Sequence, residues 1–144
     1  MASHGVGTCP PRYSLGKRYY ICVVLDCETT GLDAEDGSIL ELAACILGTG
    51  HCFSAVVDPG RPFMPPRGVH DITMDVVKAN GSEPFRDTFV RFSLWVERMR
   101  ISAMRGDDAE TLPDVEIWGH NLVEFDIPFL KMEMSRVYTY PAWE

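Results

Sequence analysis

Residues 19–31 read YYICVVLDCETTG, which is the most informative stretch of the chain. Its first seven residues are aromatic, β-branched or otherwise apolar without interruption, which is typical of a strand buried on both faces. The strand ends in two carboxylates, Asp26 and Glu28, which alternation places on the same face. Such close carboxylates repel each other unless a cation lies between them, and oxygen ligands favour Mg²⁺ or Mn²⁺ over zinc. The strand end is therefore a candidate metal site, with a solvated acidic turn as the alternative.

Two more apolar runs follow this strand. Residues 39–47 and 52–57 are joined by a short turn that contains glycine, a pattern that predicts an antiparallel hairpin. With the first strand they form a predicted meander of three antiparallel strands, closed at residues 58–60 by Asp-Pro-Gly. The prolines within 61–68 predict an extended loop, and a short helical stretch runs through residues 76–77.

The second half of the chain predicts a helix, a strand and a helix. Ser82-Glu83-Pro84 predicts the start of the first helix, whose apolar stripe is Phe85, Phe89, Phe92, Val96 and Met99. Residues 102–114 are polar and acidic and predict a surface loop, and residues 115–118 predict a fourth strand. The final helix starts at Glu124 or later, because Pro128 fits only in a first turn. The fold class is therefore α/β: a mixed sheet with its first three strands antiparallel and with flanking helices.

The net charge of the chain limits the ways in which it can bind nucleic acid. Among 144 residues, 13 are basic and 21 acidic, which gives a net charge of −8. This balance argues against binding of nucleic acid through bulk positive charge. An acidic enzyme that acts on nucleic acid through bound metal ions is still compatible, because metal ions reverse the local field. No apolar run reaches the roughly 18 residues of a membrane span, so no membrane association is expected.

The cysteines and the N-terminal residues indicate the cellular compartment of the protein. Five cysteines without a CxxC pair predict neither a zinc site of the usual spacing nor a disulfide framework. Cys22 and Cys45 lie in apolar runs and are interpreted as small core residues. Residues 1–17 have no periodicity and no apolar signal segment, so they predict a flexible tail before one domain over 18–144. We therefore expect an intracellular, reducing location, in the cytoplasm or nucleus.

Another carboxylate, Asp126, ends the segment GHNLVEFD at residues 119–126. It follows the fourth predicted strand and falls in the first turn of the last helix. There it can face a cleft above the sheet, close to the carboxylates of the first strand. The alternative is a structural role, because a negative charge is favourable at a helix N-terminus.

Three segments together resemble the DEDD superfamily of 3′→5′ exonucleases, which contains the proofreading subunit of bacterial replicative polymerases. Residues 26–32 (DCETTGL) resemble the first motif of that family. Residues 68–73 (GVHDIT) are similar to its short loop motif, and residues 120–130 (HNLVEFDIPFL) to its second carboxylate motif. Order and spacing agree over about residues 19–136.

The resemblance implies an RNase H-like fold and hydrolysis of phosphodiester bonds at the 3′ end of DNA or RNA with two Mg²⁺ or Mn²⁺ ions. The catalytic, metal-binding residues would be Asp26, Glu28 and Asp126. The residues near the terminal nucleotide would be Thr29, Gly31, His70, Asn121 and Phe125. The implied partners are a single-stranded 3′ end and a polymerase or another replication or repair protein.

The nucleotide-contacting residues also have structural interpretations. Gly31 can permit a left-handed turn, and Phe125 can belong to the core. Asn121 can be a turn residue at the strand end, and His70 can cap a short helix. The sequence alone leaves these alternatives open.

The chain departs from the family in its third motif, a histidine or tyrosine general base followed by a fourth carboxylate. All four histidines precede Asp126. Tyr140 and Glu144 have the spacing of the tyrosine branch, but they follow Asp126 too closely and Pro141 interrupts any helix there. We therefore expect an exonuclease domain that is incomplete at its C-terminus. The alternatives are an inactive exonuclease-fold module that binds nucleic acid or a polymerase partner, and a purely structural acidic domain.

Overall fold

The computed structural model describes residues 9–16, 18–64, 66, 68–104 and 111–138. Its elements are, in order, β1 (Tyr13–Leu15), β2 (Arg18–Thr29), β3 (Ile39–Ile46), β4 (Cys52–Asp58), α1 (Met74–Ala79), β5 (Glu83–Pro84), α2 (Phe85–Ser102), β6 (Asp114–Trp118) and α3 (Asp126–Val137). The described helices are too short or too polar to traverse a lipid bilayer. The mostly antiparallel sheet with flanking helices confirms the predicted α/β class and is consistent with an RNase H-like fold.

The strand β2 is the centre of the sheet because both of its edges are paired. β1 and β3 pair antiparallel with successive parts of one edge. β6 pairs parallel with the other edge, over Tyr20 to Val24. β4 pairs antiparallel with β3, and β5 adds two residues parallel to β4. The predicted meander of three antiparallel strands is therefore confirmed as β2, β3 and β4.

The core lies on one face of this sheet. The odd-numbered residues of β2 from Ile21 to Thr29 are buried, as strand alternation requires. From α2, Phe85 and Phe92 are buried against this face, which confirms the predicted apolar stripe. The opposite face is more open, and the even-numbered Asp26 is exposed there.

The tail prediction is wrong in part. Tyr13–Leu15 form β1 instead of a flexible tail, with the ring of Tyr13 5.5 Å from that of its strand partner Tyr20. A strand of three residues is too short to show periodicity in the sequence. Residues 1–8 and 17 of the predicted tail lie outside the described residues, as do Tyr140 and Glu144.

The interpretation of Cys45 as a lone core residue is also wrong. Cys45 and Cys52 are opposite each other on β3 and β4 and form a disulfide, with Cα atoms 4.1 Å apart. The pairing depends on the register of the hairpin, which the apolar pattern does not specify. Cys22 is buried, as predicted. The cysteine argument for a reducing location therefore no longer holds.

Candidate active site

The pairing of β2 with β6 ends at Val24. Gly119 follows β6 and passes so close to β2 that a Cβ atom on it would lie 2.6 Å from the carbonyl oxygen of Leu25. Only glycine fits at this distance. Past this point, no described strand pairs with this edge of β2.

Side chains complete the hydrogen bonds of β2 beyond the end of β6. The N–H of Cys27 donates to Oδ1 of Asp126 over 2.8 Å. The carbonyl of Thr29 accepts from Nε2 of His70 over 2.6 Å, and Nδ1 of the same ring accepts from the N–H of Ile72 over 3.2 Å. Because a carbonyl can only accept, Nε2 carries the proton in this arrangement. The three segments that carry the predicted motifs therefore meet at the end of β2.

The bond to Cys27 places Asp126 beside the carboxylates of β2. Asp126 is only 2% exposed, whereas Glu28 is half-buried and Asp26 is exposed. Burial raises the pKa of Asp126; the N–H of Cys27 opposes this shift and the charge of Asp26 adds to it. Burial also raises the pKa of Glu28, with His70 opposing and Asp26 reinforcing the shift. The three carboxylates thus interact unfavourably when all are ionised.

The thiol of Cys27 is not a nucleophile in this setting. Burial, followed by the negative charge of Asp126, raises its pKa far above the ordinary value of a thiol. The thiol is therefore protonated at neutral pH, and it also hydrogen-bonds to Asp126. Sequence reasoning missed this residue because a cysteine between two acids gives no sign of a structural role.

The carboxylates fit a divalent cation in chemistry and in charge. They offer only oxygen ligands, and a cation would offset the mutual repulsion that adds to the effect of burial on the pKa values of Glu28 and Asp126. Within the described ranges, no group of three or more histidine, cysteine, aspartate or glutamate side chains is arranged to hold a metal ion as it stands. Metal binding by these residues stays a prediction.

Thr29 and Gly31 form the turn that follows the carboxylates. The buried hydroxyl of Thr29 donates to the carbonyl of Gly31 over 2.7 Å, so it shapes the turn. The φ angle of Gly31 is not in the left-handed region, so the left-handed interpretation is wrong. A Cβ on Gly31 would meet nothing within 4 Å. The backbone here borders open space that a ligand can enter.

Asn121 and Phe125 lie between β6 and α3. Asn121 has a φ of 52° and its carbonyl accepts from the N–H of Phe125 over 3.0 Å, which supports the turn interpretation. Its exposed side chain borders a cavity of about 590 Å³ lined by Val24 and residues 117–124. The half-buried ring of Phe125 lies 5.0 Å from that of Phe129, at the margin of the core.

The fold gives the class: an α/β domain, consistent with an RNase H-like fold, with Asp126 bonded to the end of its central strand beside Asp26 and Glu28. The chain is 33% identical over 118 residues to DNA polymerase III PolC-type from Listeria welshimeri and from Listeria monocytogenes. The corresponding protein of Listeria innocua is 32% identical over 118 residues. Each alignment covers 79% of this chain and 7% of the polymerase. The chain is therefore homologous to a small segment of PolC-type DNA polymerase III, and it matches no known protein-family profile.

Proposed function

We propose that this chain is a metal-dependent 3′→5′ exonuclease domain of the DEDD type, which hydrolyses phosphodiester bonds at the 3′ end of DNA or RNA. The observation that carries the proposal is the hydrogen bond from Cys27 to Asp126, residues 99 positions apart. It holds the carboxylates of two motifs at one strand end. The homology to a segment of a DNA polymerase supports a nucleic acid as substrate.

In this function, Asp26, Glu28 and Asp126 would hold two Mg²⁺ or Mn²⁺ ions. When bound, such ions activate the attacking water and stabilise the leaving oxygen. The protein itself contributes the placement of the carboxylates. Asp126 is restrained by its bond to the N–H of Cys27, and strand alternation keeps Asp26 and Glu28 on one face.

The turn after β2 would receive the terminal nucleotide. The open backbone at Gly31 lets a nucleotide approach without meeting a side chain. His70 would maintain the shape of this turn through Thr29, and it is not available as general base, because both of its ring nitrogens are engaged. The exposed side chain of Asn121 and the half-buried ring of Phe125, which directly precedes α3, would also lie near the nucleotide.

The partners follow from this chemistry. The substrate would be a single-stranded 3′ end, recognised through stacking and backbone contacts and not through its sequence. A polymerase or another replication or repair protein would be the second partner. The protein would act inside the cell, in the cytoplasm or nucleus.

Digestion of single-stranded oligonucleotides tests this proposal. DNA and RNA strands labelled at the 5′ end are incubated with Mn²⁺, and we expect shortening from the 3′ end. The reaction should be slow, because a positioned general base contributes typically about 10²–10⁴-fold and His70 is engaged. Asp26→Ala should abolish it, and Asp87→Asn, at an exposed acid of α2, should not change it. Digestion that survives Asp26→Ala, or calorimetry that detects no Mn²⁺ binding, contradicts the proposal.

The second candidate is an inactive exonuclease-fold module that binds nucleic acid or a polymerase partner. Two observations favour it: His70 is engaged, and the described residues hold no ready-made group of three metal ligands. Such a module would retard labelled single strands in a gel and leave them at full length with Mn²⁺ present.

A further inference from the structure

The turn between β2 and β3, residues 33–38, is held by two arginine side chains. Four successive carbonyls of this turn accept hydrogen bonds from guanidinium groups, namely those of Ala34, Glu35, Asp36 and Gly37. Arg136 of α3 makes three of these bonds, at 2.6 to 3.2 Å, and Arg61 makes the bond to Asp36. Carbonyls of a surface turn can be satisfied by water. Their capture by Arg136 instead fixes the turn relative to α3.

One face of α3 is directed at the end of β2 and at this turn. Its residues follow each other at spacings of three, four and three positions, which places them on one side of a helix. They are Asp126, Phe129, Glu133 and Arg136.

Each residue of this face makes a specific contact. Asp126 binds the end of β2, as described above. The ring of Phe129 lies against Gly37, where a Cβ atom would be 2.6 Å from the ring carbon Cε1. Glu133 is buried and accepts from the N–H of Ile39, the first residue of β3, over 3.1 Å. The face is thus in contact along its whole length.

The geometry points to Arg136 and Glu133 as positioning residues of the carboxylate site. They lie about 15 and 10 Å along α3 from Asp126. Through their hydrogen bonds to the turn and to the start of β3, they set the rotation of α3 about its axis and its position along that axis. This in turn sets where the carboxylate of Asp126 stands relative to Asp26 and Glu28. The inference rests on the proposed function where it concerns metal binding.

The effect of Arg136 on the site is geometric and not electrostatic. Arg136 lies about 15 Å along the helix from Asp126 and donates its hydrogen bonds to backbone carbonyls of the turn, so it acts on the site through the position of α3. The planar guanidinium directs several donors in fixed directions, whereas the ammonium group of lysine does not. Arg136→Lys keeps the charge and loses the directed hydrogen bonds to the turn.

The test compares Arg136→Gln, Arg136→Lys and Glu133→Gln with Lys131→Gln, which removes a charge from an exposed position of the same helix. The amide resonance of Cys27 is recorded by NMR without metal and reports the bond to Asp126. Calorimetry gives the Kd for Mn²⁺ of the folded protein. We expect Arg136→Gln to shift the Cys27 resonance and to raise the Kd about tenfold, the lower end of the loss that follows removal of a group hydrogen-bonded directly to a metal ligand. Arg136→Lys should have nearly the same effect, Glu133→Gln, which keeps an oxygen acceptor for the N–H of Ile39, a smaller one, and Lys131→Gln should change neither quantity.

A merely structural brace would behave differently. It would lower the Tm of the Arg136 and Glu133 variants and leave the Cys27 resonance and the Kd unchanged, and that result would overturn the inference. If Arg136→Gln does not fold, the Cys27 resonance and the Kd for Mn²⁺ of Arg136→Lys test the inference instead. Absence of Mn²⁺ binding in the wild type would instead overturn the proposed function, and the Cys27 resonance would still report on the positioning.

Discussion

From Tyr20 to Val24, one edge of β2 is bonded to the backbone of β6, whereas from Leu25 to Thr29 the same edge is completed by side chains. The hydrogen bonds of the first half require only an extended partner backbone, which many apolar sequences can provide. The second half requires an acceptor at Asp126 and a donor at His70. The predicted functional residues gather in the second half, because a strand edge without a strand partner leaves room for polar side chains.

Truncation of an aromatic residue beneath each half should have the largest effect. Phe92 lies near Val23 and Val115 under the first half, and Phe129 is buried beside the turn that follows the second half. Urea denaturation should show that Phe92→Ala and Phe129→Ala each lower the free energy of unfolding by about 3–5 kcal/mol. Only Phe129→Ala should also weaken Mn²⁺ binding by the folded protein. Equal weakening in both variants would show that the two halves are not independent.

Substitution of two glycines should give effects of intermediate size on the free energy of unfolding. Gly119→Ala should lower the free energy of unfolding by about 1–3 kcal/mol, because the new Cβ meets the backbone oxygen of Leu25. Gly31→Ala should change it by no more than about 0.5 kcal/mol, because its surroundings are open. Gly31→Ala should nevertheless weaken binding of a single-stranded 3′ end in a fluorescence anisotropy titration. A Gly119→Ala variant as stable as Gly31→Ala would argue against close contact between Gly119 and β2.

The smallest expected effect is a pH dependence that belongs to the second half. Burial raises the pKa of Asp126 in the folded protein above its ordinary value of 3.8, so its ionisation opposes folding. Its stabilising contribution is complete below that ordinary value and is lost as pH rises through the raised pKa. Asp126→Asn keeps an oxygen for the N–H of Cys27 and does not titrate.

Denaturation in EDTA measures this effect. The free energy of unfolding of the wild type should fall relative to that of Asp126→Asn as pH increases from about 4 to about 7. Saturating Mn²⁺ should stabilise the wild type more than the variant at neutral pH, since a ligand that binds only the folded state stabilises it. A difference between the two proteins that does not vary with pH would contradict a raised pKa.

The regular parts of this molecule could be predicted because their signal is local. Runs of β-branched and aromatic residues identify β2, β3, β4 and β6, and apolar spacing identifies α2. β1 and β5, with three and two residues, are too short to carry a pattern. The disulfide between Cys45 and Cys52 depends on hairpin register, which is a property of the pair of strands.

Only those residues of the candidate site that belong to the sequence motifs could be predicted. Asp26, Glu28 and Asp126 stand in recognisable segments, so their proximity could be expected. Glu133 and Arg136, three positions apart on a helix, have the spacing of an ordinary ion pair, and they form one, with Nη1 of Arg136 3.5 Å from Oε1 of Glu133. Their actual contacts with the turn and with β3 come from the docking of α3, which depends on residues about a hundred positions away.

The bonds between α3 and the end of β2 have a consequence for the order of folding. The bond to β2 joins residues 99 positions apart and those from α3 to the turn and to β3 join residues 94 to 102 positions apart, whereas the β3–β4 hairpin joins Cys45 and Cys52, only 7 positions apart. Closing a longer loop costs more entropy, and distant contacts form more slowly than local ones. We therefore expect the hairpin to fold early and the carboxylates to assemble last. A chain still emerging from the ribosome would contain its meander and no assembled site, so its three carboxylates could not act together until α3 has been made.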